Sequence, residues 1–319
     1  MKLRCAVVGH GSIGRIHAQI AGKYGELCAV CDVDRDKLVS FSEDIRYTDY
    51  TDMLDRAKPD VVHICTPHYL HAEMVIAALE RGINVLCEKP LCIRREDIGR
   101  ILEAEERSSA ILGVCLQNRY NCANLFIKDL VDRGEKKIRN ATGQVVWHRD
   151  AAYYASGEWR GKWDTEGGGV LINQALHTLD LLIWLCGEPN DVRASISNLT
   201  LSDTIEVEDT ATIVCRGEHP FIFLASNASS YDCPVEITLF CEDGEMIKIV
   251  KDKVIDGDGI RSFSEYYAPR GKECYGSGHE ALICDFYGCI EQGKQFSING
   301  AEGAKVIKVI LGVYAGIQN

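Results

Sequence analysis

Four groups of residues in this chain have types and spacings that suit chemistry. The first is Gly9-His10-Gly11-Ser12-Ile13-Gly14, a G-x-G-x-x-G. Its first glycine permits a tight turn, its second lets backbone approach a pyrophosphate, and its third allows close helix–strand packing. The N–H groups and positive dipole end of the following helix then face the phosphates. Alone the pattern is weak, but here it directly follows the apolar run Leu3–Val8 and opens a helical pattern, the context that gives it meaning. The second group is Asp32, at the end of the next apolar run and near the ~20-residue spacing at which a carboxylate accepts from ribose hydroxyls. An acid there repels a 2′-phosphate and so predicts NAD over NADP, with Arg35 nearby to soften the preference. The other reading is a glycine-rich turn of an unrelated α/β protein, with Asp32 capping the next helix.

The third group lies at two later strand ends, Cys65-Thr66-Pro67 and Cys87-Glu88-Lys89-Pro90. Ligands of open α/β sheets bind beyond the carboxyl ends of the strands. A lysine placed there can reach the nicotinamide end of a cofactor, although Lys89 also reads as an ordinary exposed lysine. The fourth group is the segment Gly167 to Trp184. Read as one helix of 3.6 residues per turn, it puts Asn173, His177, Asp180 and Trp184 on one polar stripe, opposite a broad apolar face of Ile172, Ala175, Leu176, Leu179, Leu182 and Ile183. Such a stripe lines a cleft or a buried contact. Histidine suits proton transfer near neutral pH, and Asn173 stands one turn earlier to orient it. The alternative is a structural histidine satisfied by Asp180.

These groups need elements to hold them. Residues 1–120 alternate short apolar runs (Leu3–Val8, Leu27–Cys31, Val61–Cys65, Asn84–Cys87, Ile111–Leu116) with helical stretches around 12–23, 35–43, 69–81 and 94–108. That alternation is the signature of a doubly wound parallel sheet. After Tyr120 the grammar changes: a helix near 121–133, a strand near 144–148, a long helix from 169 to 186, then strands at 192–199, 207–215, 220–227, 234–242 and 245–251. Asp243-Gly244 is a tight-hairpin turn. The expected fold class is therefore α/β: an N-terminal Rossmann domain, 1–120, with a C-terminal α+β domain, 121–299, on an open, largely antiparallel sheet. A last helix covers about 300–316.

Composition bounds the function. The 319 residues are 46% hydrophobic and 26% charged, and 35 Lys plus Arg against 47 Asp plus Glu give a formal charge of −12. Such a surface argues against nucleic-acid or anionic-membrane partners. No apolar stretch approaches the ~20 residues that span a bilayer. The N-terminus runs straight into the glycine turn, as a first strand and not as a secretory signal. The 15 cysteines are odd in number and many sit in apolar runs, so they read as small core residues in a reducing cytoplasm. The pair Cys28 and Cys31 lies inside a strand, no metal site is expected, and the triplets at Asn140, Asn198 and Asn227 carry no meaning without secretion.

Together, Gly9–Gly14, Asp32, Cys65-Thr66-Pro67, Glu88-Lys89-Pro90 and the Gly167–His177 segment resemble the Gfo/Idh/MocA family of oxidoreductases, in the family's order over essentially the whole chain. The resemblance implies a cofactor site of Gly9, Gly11, Ser12, Ile13, Gly14, Asp32, Thr66, Pro67, Glu88 and Lys89. It implies that Lys89 hydrogen-bonds the reacting oxygen and that His177 is the general acid/base. It also implies a C-terminal helix returning to the first domain, a second sheet whose free face makes a homodimer or homotetramer, and a sugar, sugar derivative or cyclic polyol as substrate. Arg119, Tyr120, Trp159, Arg160, Lys162, Asn173 and His177 are the candidate substrate contacts. The family commonly has an aspartate where this chain has Asn173. Asparagine supplies no charge to support an imidazolium, so Asn173→Asp is expected to make His177 a stronger base. The expected activity is NAD-dependent hydride transfer at a secondary hydroxyl. Transient oxidation within a glycosidase and a non-enzymatic cofactor sensor are the alternatives.

Overall fold

The computed structural model describes residues 2–264 and 277–317. Contacts divide the chain into two compact units, the first made of Met1–Leu116 and His279–Ala304 and the second of Gln117–Ala268 and the chain from Lys305 on, apart from short segments around 269–278.

The first unit opens with β1 (Arg4–Val8), α1 (Ser12–Tyr24), β2 (Glu26–Cys31), β3 (Arg46–Tyr47), α2 (Tyr50–Ala57) and β4 (Val61–Ile64). It continues with α3 (His71–Leu79), β5 (Asn84–Glu88), α4 (Arg95–Arg107) and β6 (Leu112–Cys115). The strands form one sheet in the order β3-β2-β1-β4-β5-β6, every pair parallel. Covered by helices, its middle strands are buried residue after residue, as Val61, Val62 and Ile64 show at 0% exposure. The order reverses between β1 and β4, the switch point where such sheets bind ligands. The helix expected at 35–43 is instead two short 3₁₀ turns, Arg35–Leu38 and Glu43–Ile45, and the true helix is α2. Asp34 and Asp49 each accept from a backbone N–H two or three residues on, of Asp36 and Asp52, and so cap the first 3₁₀ turn and α2.

The second unit contains α5 (Cys122–Asp132), β7 (Ile138–Val146), α6 (Ala151–Ala155), α7 (Leu176–Cys186), β8 (Asp191–Ser197), β9 (Thr210–Arg216) and β10 (Phe221–Ser226). Then come β11 (Glu236–Cys241), β12 (Met246–Val250), β13 (Lys253–Asp256) and β14 (Gly259–Ser262). Its sheet runs β14-β13-β12-β11-β7-β10-β9-β8 and is mixed, since β7 and β10 pair parallel and all other neighbours antiparallel. The turn between β11 and β12 falls at Asp243-Gly244 with Gly244 at φ +88. One face carries alternate buried residues, among them Ile213, Phe223 and Leu239, against which α7 packs.

Two helices complete the chain, α8 (Gly278–Gln292) and α9 (Gly300–Ile317). The segment grouped with the Rossmann sheet is His279–Ala304, which differs from the expected return of a helix at 300–316 alone. Phe286 and Phe296 lie against Gly113, and Val114 donates its N–H to the Ile298 carbonyl. From Lys305 on, α9 groups with the second unit, where the Tyr314 hydroxyl meets Glu208.

The long helix expected from 169 is corrected as well: α7 begins at Leu176 and residues 170–174 are turns. Gly167 and Gly168 have φ +86 and +146, outside the helical region. The N–H groups of Gly169 and Leu171 are drawn to the buried Glu208 carboxylate. A side chain at Gly169 would meet the Glu208 carbonyl oxygen at 1.8 Å, so only glycine fits.

Candidate active site

In the first unit, the turn after β1 is shaped by contacts no side chain could share. Gly9 has φ +85, and a Cβ there would lie 2.5 Å from the Cys65 carbonyl oxygen. A Cβ on Gly14 would lie 1.8 Å from the Gly9 carbonyl oxygen, while one on Gly11 would meet nothing within 4 Å. So Gly9 and Gly14 close the turn, and Gly11 faces open space where a phosphate can approach. The first turn of α1, with Ser12 and Ile13, has no acidic residue and no capping side chain, which leaves its N–H groups for an anion. Asp32 is buried at the end of β2 and accepts from His10 N at 2.8 Å and Asp34 N at 2.9 Å. A carboxylate has about four acceptor sites, so capacity remains for ribose hydroxyls. The cation facing Asp32 is Lys37, at 3.2 Å, and not the exposed Arg35. A dinucleotide fits this cradle.

At the next strand ends, the loops of Thr66-Pro67 and Lys89-Pro90 are tied by a residue that sequence reading missed. The two ring nitrogens of buried His71 face the Pro90 and Thr66 carbonyl oxygens, at 2.6 and 2.9 Å. The Lys89–Pro90 bond is cis. Glu88, expected beside the cofactor, turns its carboxylate inward. It accepts from Lys89 N at 3.1 Å and from His17 Nε2 at 3.0 Å, with His279 Nε2 at 3.6 Å. Burial alone would raise its pKa, but hydrogen bonds from His17 and His279 more than offset that and hold it well below the carboxylate range. His17 Nε2 donates to Glu88, while His17 Nδ1 and His63 Nδ1 lie 2.8 Å apart and His63 Nε2 lies 2.8 Å from the Tyr287 hydroxyl. Burial keeps His63 neutral by lowering its pKa well below the usual value. His17, Glu88, Cys115 and His279 also bring ligand-type atoms within 4.8 Å of one another.

In the second unit, His177 sits in the first turn of α7, and Gln117 Nε2 lies 3.2 Å from its Nε2. The Gln117 amide thus orients the His177 ring. Of the expected stripe, His177, Asp180 and Trp184 meet the turn Gln117–Tyr120 as a buried contact, and Asn173 lies ahead of the helix. Asp180 is buried and paired with both guanidinium nitrogens of buried Arg119, at 2.6 and 2.8 Å, so neither lines an open cleft. Trp184 stacks under Arg119 and Lys128. Tyr120 ends the 3₁₀ turn Gln117–Tyr120, half-buried.

Asn173 precedes α7 and donates to the carboxylate of Glu166, which is 0% exposed and also accepts from Gly161 N. A negative group thus stands behind Asn173, a point the local motif did not disclose. Tyr153 Oη accepts from Arg160 at 2.7 Å and Gln174 at 2.9 Å, and lies 3.4 Å from Asn173 Nδ2. Trp159 stacks on Arg160, while Lys162 is exposed. Glu208 braces the loop into α7, its pKa pushed up to about 7 by burial against the pull of its N–H and hydroxyl donors.

With this geometry in hand, comparison with known proteins is direct. Residues 3–116 match the family model described as "Oxidoreductase family, NAD-binding Rossmann fold", and residues 125–247 match the "GFO/IDH/MocA C-terminal domain". Inositol 2-dehydrogenase 3 of Saccharopolyspora erythraea is 35% identical over 76% of this chain and 69% of its own length. Myo-inositol 2-dehydrogenase of Thermotoga maritima is 25% identical over 94% and 92%. Among solved structures, the WlbA dehydrogenase of Bordetella pertussis, in complex with NADH and UDP-GlcNAcA, superposes with a TM-score of 0.86 at 26% identity, covering 100% of this chain and 97% of that one. The glycine cradle, the Asp32 shelf and both matched domains therefore have one owner: the chain belongs to the Gfo/Idh/MocA family of NAD-binding oxidoreductases.

Proposed function

We propose that this protein is an NAD-dependent dehydrogenase acting on a secondary hydroxyl of a sugar, sugar derivative or cyclic polyol. The observation that carries the reading is His177 at the start of α7, its ring oriented by Gln117, in a chain whose other unit has a fitted dinucleotide cradle. The inositol dehydrogenases among its relatives support the substrate class.

NAD, when bound, supplies the hydride acceptor at its nicotinamide ring. Gly9, Gly11, Ser12, Ile13, Gly14 and Asp32 bind it, and the Thr66-Pro67 loop, fixed through His71, borders it. Lys89, anchored through its N–H to Glu88, donates a hydrogen bond to the substrate oxygen as charge develops there. His177 takes the hydroxyl proton as the carbon gives up hydride. A charge-free Asn173 is compatible with this role because Glu166 supplies the carboxylate behind it.

The second unit is assigned to substrate binding and to assembly of a homodimer or homotetramer. Adjacent Val214 and Ile222, at 43% and 54% exposure, support a second copy on the outer sheet face. No described helix is long and apolar enough to cross a membrane. A cytoplasmic site of action is proposed from the cysteines, ten of the fourteen described being buried in the core.

The test is NAD reduction across sugars, sugar acids, sugar nucleotides and inositols. On any substrate found, His177→Ala and Lys89→Ala should each lower kcat by about 100-fold or more, the scale of a positioned acid/base. An unchanged kcat in His177→Ala refutes the assignment.

A further inference from the structure

Around Tyr153 the second unit holds two guanidinium groups with little to balance them. Arg149 lies 5.2 Å and Arg160 4.7 Å from the Tyr153 ring centroid, Arg149 also stacks on Trp147 at 5.0 Å, and Arg160 on Trp159 at 4.5 Å. Among the described residues, the ion-pair partner of Arg149 is Asp232, an exposed carboxylate at 3.1 Å, and no carboxylate lies within ion-pair distance of Arg160. The Nε atoms of both arginines are buried and have no hydrogen-bond partner. A buried donor left without an acceptor costs about 1–3 kcal/mol, and two like charges share one aromatic ring. The nearest buried carboxylate, Glu166, accepts instead from Gly161 N and Asn173.

The cluster is also rigid. Asp150 caps α6 by accepting from Tyr153 N, Arg160 N donates to the Gly157 carbonyl, and Thr165 donates to the Trp159 carbonyl. Gly161, at φ +72 and packed on Ile205, fixes the residue after Arg160. Held on aromatic faces, the guanidinium plane keeps its fork geometry, the shape that meets carboxylate or phosphate oxygens in pairs. Through Tyr153 Oη the cluster adjoins Asn173, four residues before His177.

We propose that Arg160, backed by Arg149, is an anion anchor, and that the substrate is an anionic sugar carrying a carboxylate or a phosphate ester. This narrows the substrate class of the dehydrogenase reading and rests on it only for where the ligand lies. The neutral part of the sugar meets Tyr153, Trp159 and Asn173, and the anion meets the fork.

The experiment has a binding arm and a turnover arm. Titration calorimetry compares D-glucuronate with D-glucose, and UDP-glucose with UDP-glucuronate, so that carboxylate and diphosphate are told apart. NAD reduction is followed on the same compounds. The expected result is at least tenfold preference for an acid over its neutral counterpart. Arg160→Gln reduces that preference about tenfold or more, and Arg160→Lys, which keeps the charge but loses the fork, gives an intermediate value. Circular dichroism of both variants checks the fold. Turnover of neutral sugars with no acid binding overturns the anion anchor and leaves the dehydrogenase reading standing. Arg160-dependent acid binding without any NAD reduction does the reverse.

Discussion

The exchange Asn173→Asp installs the residue common in the family, and the structure changes what it should do. Aspartate is nearly isosteric with asparagine, so the new carboxylate takes the place of the amide that now donates to Glu166. Two carboxylates at hydrogen-bond separation, about 3 Å, repel by roughly 5 kcal/mol at an effective dielectric near 20. At 1.36 kcal/mol per pH unit this delays the second ionisation of the pair by about four units, to around pH 8. Arg160 and Arg149, on either side of Tyr153, trim the figure without reversing it. The pair therefore keeps one shared proton at neutral pH, and the substitution adds no charge to support His177, contrary to the expectation from the motif alone. Native capillary electrophoresis of folded variant and wild type should give equal charge at pH 6, with the extra negative charge appearing only between about pH 7 and 9. A full added charge at pH 6, together with a shifted acid limb of the pH–rate profile, would refute the reasoning. The double variant Glu166→Gln/Asn173→Asp carries a single carboxylate and should behave as wild type does.

Glu88→Gln removes the anion that His17 and Lys89 N hydrogen-bond and that His279 approaches, costing about 3 kcal/mol at pH 7. Because the folded-state pKa of Glu88 is depressed, its stabilisation is complete above the unfolded value near 4.3 and disappears as pH falls through the folded value. Melting curves should show the variant about 6–10 °C lower at pH 7, with the gap closing below about pH 4; a constant gap would exclude the ionised form. Gly14→Ala places a methyl 1.8 Å from the Gly9 carbonyl oxygen and should weaken NAD binding at least tenfold by calorimetry. Wild-type affinity there would mean the turn is not the phosphate cradle. Asp32→Asn should weaken NAD binding and narrow its margin over NADP, since Lys37 then faces a 2′-phosphate with only Asp34, at 3.9 Å, to oppose it; an unchanged ratio would place the discrimination elsewhere.

What could be read from the sequence was local. The glycine turn, Asp32 and the Glu-Lys-Pro corner each lie within a few residues of a strand end, and the strand pattern announces itself by runs of buried apolar residues. The start of α7 was not legible, because its seven preceding residues look helical and are pulled out of that state by Glu208, a residue remote in sequence. Glu166 was not singled out in the sequence; only the fold sets it against Asn173. The stripe on α7 was legible, but not what it meets: Asp180 finds Arg119, sixty-one positions earlier, and a helical wheel has no place for that partner. Gln117 and His71 gave no signal at all, since single polar residues acquire meaning only from what they touch.

The chain from Tyr287 through His63 and His17 to Glu88 has a consequence for observation. Only one of the facing Nδ1 atoms of His17 and His63 can hold the proton between them, so the tautomer of the neutral His63 ring is coupled to the protons on His17 and, through it, to Glu88. His63 is therefore a reporter. Its nitrogen-15 chemical shifts, which separate an Nδ1–H ring from an Nε2–H ring, register how the protons between His17 and the carboxylate beside Lys89 are arranged. A spectroscopist can thus read the state of the lysine corner from a histidine that touches neither lysine nor cofactor cradle, and watch it change when a ligand arrives.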